Sequence, residues 1–226
     1  MVAYDALIEP HFTVMDGFRR CLPVAAVVGV FGMSFGVLAR ASGFPLLAPI
    51  VMSLTTFGGS AQLGAASVLG DGGSVAAATV AAIFLNARYA TVGLAVAPVL
   101  KGSPLRRLFQ AQLVVDEGWA IATSGGKVNR ELFLGAGLAI FVFWNAGTVI
   151  GTLAGDLVGN PNDLGLDAAF PALFLTLLVS RLGRLDALVS AVVGAAIALA
   201  LVPFTPPGVP MLAASLGALA CWRRRP

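Results

Sequence analysis

Three polar clusters interrupt a chain that otherwise reads as hydrocarbon, and each has residue types able to handle a charged solute. The first is Phe57-Gly58-Gly59-Ser60-Ala61-Gln62, preceded by Ser53, Thr55 and Thr56. A glycine inside a helix costs about 1 kcal/mol relative to alanine. Unwound backbone at membrane depth persists only where it is buried in protein or lines water. The run therefore suits a zwitterionic solute, held by free backbone amides and carbonyls, hydroxyls and the Gln62 amide. The same residues also suit close packing, with the hydroxyls bonded back to their own helix.

The second cluster is Asn86 and Arg88. A mid-span arginine is costly unless paired or hydrated. Its planar fork can hold a substrate carboxylate, pair with an acidic side chain, or snorkel to the surface if 74–87 alone is a short span. The third is Asp116 and Glu117 in the apolar segment LVVDEGWAIA. Carboxylates within a membrane relay protons or form ion pairs. Adjacent residues project about 100° apart on a helix, so one of the two faces inward. Asn145, beside Trp144, fits a bridge between helices better than a ligand contact.

No nucleophile elbow, phosphate loop, dinucleotide fingerprint, zinc-protease motif or EF-hand spacing occurs. No catalytic residue, cofactor or metal site is therefore read from the chain. A primary pump would need a partner to supply the nucleotide-binding domain. His11 is the sole histidine and lies in a polar leader, where a solvated residue without a role is expected. Cys21 and Cys221 lack metal-ligand spacing and imply no disulfide.

The elements that must position these clusters are membrane helices. Hydrophobic residues make up 58% of the chain and charged residues 11%, against about 25% charged in ordinary globular domains. The mean hydropathy is +0.91. Residues 187–222 carry no charge and are broken by Pro203, Pro206, Pro207 and Gly208, which reads as two spans joined by a turn. Uncharged stretches also run from Cys21 to Ala39, Pro45 to Gly70 and Leu132 to Gly155. A stretch from Ser74, a plausible N-cap, to Leu100 holds Asn86 and Arg88. Shorter segments cover Leu108 to Thr123 and Ala168 to Ser180.

The expected fold is an all-α polytopic membrane protein of about seven or eight crossing segments, some broken. Its expected organisation is a polar leader, 1–18, without the basic start of a cleavable signal peptide, a single transmembrane transport domain, 19–222, and a basic cytoplasmic tail, 223–226. The net charge of +3 comes from residues at span edges, so it marks orientation and not nucleic acid. Positive-inside counting puts the N-terminus, the Lys127/Arg130 loop, the Arg181/Arg184 loop and the tail in the cytoplasm, and the acidic loop 156–167 outside. The loop with Lys101, Arg106 and Arg107 then falls outside, against the rule, unless 74–100 is a hairpin of two half-helices near Asn86. Gly32-Met33-Ser34-Phe35-Gly36-Val37-Leu38-Ala39 is similar to Gly147-Thr148-Val149-Ile150-Gly151-Thr152-Leu153-Ala154. That is an internal repeat of the transporter kind or plain GxxxG packing.

From about Gly17 to about Leu201 the chain resembles the AzlC family, the large subunits of branched-chain amino-acid exporters. The resemblance rests on Leu22-Pro23, Phe35-Gly36, Phe57 to Gln62, Asn86-Ala87-Arg88-Tyr89, Asp116-Glu117, Gly147-Thr148 and the run Leu164 to Phe174. One departure is Tyr89, where the family usually has histidine, so no coupling role for that histidine carries over. The resemblance implies export of leucine, isoleucine, valine or analogues across the bacterial cytoplasmic (inner) membrane. It also implies an ion gradient as the energy source and a small AzlD-type membrane subunit as partner. The alternative is a scaffold subunit whose partner forms the path. An intramembrane enzyme lacks a nucleophile–base pair or metal triad to support it.

Overall fold

A computed structural model describes residues 12–124, 127–155, 175, 178–179, 183, 185–205 and 209–217. The expectations for His11, the loop 156–167, most of the Ala168–Ser180 segment, Arg181, Arg184, Cys221 and the arginine tail fall outside these residues. The described chain is almost entirely helical: α1 (Val14–Ala41), α2 (Leu47–Thr55), α3 (Gly59–Gly70), α4 (Val75–Asn86), α5 (Tyr89–Val96) with a 3-10 turn Ala97–Val99, α6 (Pro104–Ala111), α7 (Asp116–Ala122), α8 (Arg130–Ala154), α9 (Leu185–Leu201) and α10 (Val209–Ala214). The exception is a two-stranded antiparallel ladder, β1 (Thr123–Ser124) and β2 (Lys127–Val128).

Local chemistry sets the ends. At the start of α1, Thr13 and Asp16 cap each other reciprocally, each backbone amide bonded to the other's side chain. Ser74 caps α4 by accepting the Ala77 amide at 3.1 Å. Both α1 and α3 stop at a left-handed glycine, Gly43 and Gly72, where Phe44 and Gly73 donate five residues back to Ala39 and Val68.

The expected seven or eight crossings are not confirmed among the described residues. Among the described residues, α1 and α8 are each long and apolar enough to cross a bilayer. A third span results if α4 and Tyr89–Val99 are taken together, bent by 42° at Ala87–Arg88. Ala87 and Arg88, at the break between α4 and α5, both keep right-handed helical backbone. Leu108 to Thr123 is no span. It divides between α6 and the seven-residue α7, well short of the roughly 20 residues a crossing needs.

The chain forms two compact units, Met1–Val30 with Arg88–Ala146, and Phe31–Ala87 with Gly147–Pro226. The first has an apolar core of Val92, Val96, Ala122, Leu132 and Phe133. There α1 and α8 approach at backbone distance, since a side chain on Gly135 would strike the Val14 carbonyl and one on Gly17 the Leu132 carbonyl. In the second unit, α3 and α4 pack through Ala65, Val68, Ala78 and Ala81. The two similar octapeptides lie against each other: Gly36 sits on Thr148 and Thr152, and Gly151 on Met33.

The Pro45–Gly70 stretch is where the fold departs most usefully from expectation. It is not one span. Its exit, Gly70, lies against its entry, Ser42, so α2 and α3 form a helical hairpin that returns to the end it left. Phe57 and Gly58 are at the tip.

Candidate functional site

The hairpin tip is built by two residues with different tasks. Phe57 takes φ +40°, a left-handed conformation that a bulky side chain rarely adopts. Gly58 is extended, with φ −140°, and its missing side chain matters for space: a Cβ there would strike the Asn86 amide. The chain thus stores strain at Phe57 of about 1–3 kcal/mol and brings Gly58 directly onto Asn86.

A buried hydrogen-bond chain holds the tip. The Gly58 amide donates to Gln62 Oε1 at 3.2 Å, and Gln62 Nε2 donates to Ser53 Oγ at 2.7 Å. Ser53 Oγ lies 2.9 Å from Thr148 Oγ1. Gln62, Ser53 and Thr148 are all fully buried. Gln62 therefore positions the tip and is engaged on both sides of its amide. Ser60 and Asn86 differ: Ser60 Oγ and Asn86 Oδ1 are buried and have no hydrogen-bond partner. Ser60 stands in the first turn of α3, whose leading amides lack intrahelical acceptors and carry the positive end of the helix dipole. Unpaired groups of this kind cost about 1–3 kcal/mol each and mark a place where a ligand can supply what is missing.

Phe57, Gly58, Gly59, Ser60, Gln62 and Asn86 thus meet in the second unit. Thr148 completes their network, a role its place in a GxxxG-like motif did not suggest. Beside them α2, α3 and α4 line a cavity of about 600 Å³ with Asn86 in its wall, open on the side of the exposed Val75 and Ile83. From Val75 to Asn86 the rise along α4 is about 17 Å.

Arg88 belongs to the first unit. Its Nη1 is 3.0 Å from Asp116 Oδ2, its Nη2 donates to Tyr89 Oη at 3.1 Å, and its guanidinium lies 4.8 Å from the Tyr89 ring centroid. Nε is buried without a partner. The ion pair is made with Asp116; Glu117, next in the first turn of α7, is partly buried. The bridging role expected for Asn145 is not what the geometry provides. Its Nδ2 donates to Phe141 O of its own helix at 2.8 Å, while Oδ1 is buried without a partner. A short amide reaches its own i−4 carbonyl more readily than a neighbouring helix. Among the described residues, no three of His, Cys, Asp or Glu come together to hold a metal.

The family model described as AzlC protein matches residues 23–158. The "Branched-chain amino acid transport protein AzlC" of Bacillus subtilis is 27% identical over 74% of this chain and 66% of its own length. The chain thus spans slightly less than two thirds of that relative. An "Uncharacterized membrane protein" of Archaeoglobus fulgidus is 32% identical, over 88% of this chain and 90% of its own. The "Inner membrane protein YgaZ" of Escherichia coli is 26% identical, over 81% and 80%. No solved structure matches the chain.

Proposed function

Because the chain belongs to the AzlC family, we propose that it is the translocating subunit of a secondary exporter of branched-chain amino acids, namely leucine, isoleucine, valine or close analogues. It works in the bacterial cytoplasmic membrane, takes its energy from an ion gradient, and acts with a small AzlD-type membrane subunit. The observation that carries this reading is the hairpin tip, where strained backbone at Phe57, the buried unpartnered Ser60 hydroxyl and the buried unpartnered Asn86 Oδ1 converge.

The tip has what a zwitterion needs. The N-terminal amides of α3 and Ser60 Oγ bind the carboxylate, and Asn86 Oδ1 accepts from the ammonium. Irregular backbone is tolerated there because it is enclosed by protein and exchanges ligand with water. Arg88 holds Asp116 in the resting state, and rearrangement of that pair during the cycle couples the ion gradient to transport.

The test is efflux from a host lacking its own exporter, loaded with leucine from a leucine-containing dipeptide. Leucine efflux that needs this chain with its small subunit, and that an uncoupler abolishes, is expected. Efflux that persists without an ion gradient but stops on ATP depletion would overturn the energetics proposed.

A further inference from the structure

The cavity beside the hairpin tip has a shape that the family assignment does not explain. Its floor is Ala65 and Ala78, which are 5% and 3% exposed. Met52, Leu69 and Ala82 form apolar sides, and Asn86 stands at one end. The volume of about 600 Å³ is within the ~300–1,000 Å³ typical of small-molecule sites. Asn86 is the hinge of the argument. The same side chain that lies against Gly58 at the tip also enters the cavity wall. A small molecule whose polar end meets Asn86 therefore has its aliphatic part directed among the alanines.

We propose that this cavity receives the aliphatic side chain of the transported amino acid and sets the specificity of transport, with Ala65, Ala78 and Ala82 leaving room for branching and Met52 limiting length. The inference rests on the transport function proposed above. Methionine suits such a wall because its unbranched side chain adapts to ligands of slightly different shape. Small residues on α3 and α4 supply depth that larger aliphatic residues would fill. One methylene more or less in an apolar pocket changes selection about 10- to 200-fold, so the wall residues discriminate among leucine, valine and alanine without any charged contact.

The experiment compares leucine and alanine transport in membrane vesicles carrying the wild-type chain and its small subunit, an Ala82→Phe variant that fills the cavity, and a Met52→Ala variant that lengthens it. Ala82→Phe is expected to lower the leucine-to-alanine rate ratio at least about tenfold, and Met52→Ala to shift preference towards longer unbranched side chains such as norleucine. A second readout avoids wall changes that disturb folding. In a chain without Cys21 and Cys221, Thr79→Cys lines the cavity, and saturating leucine is expected to slow its maleimide labelling at least about fivefold while lysine does not. If wild type moves leucine but both ratios and the labelling rate stay unchanged, the cavity assignment falls and the transport function stands. Equal protection by leucine and lysine, or the same slowing by lipid alone, also overturns it. If wild type moves no aliphatic amino acid, the function itself has failed.

Discussion

Replacing Gln62 by leucine isolates the network that holds the hairpin tip. Leucine is close in size but removes the acceptor of the Gly58 amide and the donor to Ser53. Ser53 keeps Thr148 as a neighbour at 2.9 Å, so the main loss is the buried Gly58 N–H. Stranding one buried donor costs about 1–3 kcal/mol. A chain of this size loses about 2–4 °C of melting temperature per kcal/mol, so the variant should melt about 2–12 °C below wild type in the same detergent. Ser53→Ala removes the next link, and the double variant should fall short of the sum of the singles by about 0.5–3 kcal/mol because they share a partner. The assay is thermal unfolding of the purified chain followed by size-exclusion fluorescence. A Gln62→Leu chain that melts within about 1 °C of wild type, or strict additivity of the two changes, would refute the network as the support of the tip.

Gly58→Ala forces the Asn86 amide aside and should cost about 1–3 kcal/mol as an overpacked site, while lowering leucine transport beyond the loss of abundance; immunoblot and efflux measured together check this. Arg88→Lys keeps the charge but loses the planar fork that meets Asp116 and Tyr89, so efflux should drop at least about tenfold at near-normal membrane abundance. Single cysteines at Ser42 and Gly72 should react with an impermeant maleimide from the same side of the membrane, because Ser42 and Gly70 adjoin; labelling of Ser42 and Gly72 from opposite sides would exclude the α2–α3 hairpin.

How much of this was legible beforehand depends on the kind of signal. Helical membrane character follows from long uncharged runs, and α1 and α8 lie close to where Cys21–Ala39 and Leu132–Gly155 put them. The glycine pair marked the break in the Pro45–Gly70 stretch, but composition does not distinguish a broken span from a hairpin. That difference rests on Ser42 meeting Gly70, a contact between positions far apart in the chain. The strained residue proved to be Phe57 and not a glycine, since the glycine was needed for the approach to Asn86. Thr148 was invisible as part of the network because its partner, Ser53, is 95 residues away. The Leu108–Thr123 segment misled through its apolar content. Its α6 carries Arg106 and Arg107 beside the exposed Leu105, Leu108 and Phe109, a pattern of residues lying at an interface rather than crossing it.

The central claim is that the hairpin tip and Asn86 handle an aliphatic amino acid during transport. Counterflow of labelled leucine into proteoliposomes preloaded with unlabelled leucine tests it most directly. Liposomes would contain the chain with its small subunit, and a parallel set would contain Asn86→Ala, which leaves the Gly58–Gln62–Ser53 chain in place. Robust counterflow by wild type and at least about a tenfold loss in the variant are expected, as for removal of one hydrogen bond to a charged group. Counterflow by Asn86→Ala equal to wild type at equal protein density would contradict the account.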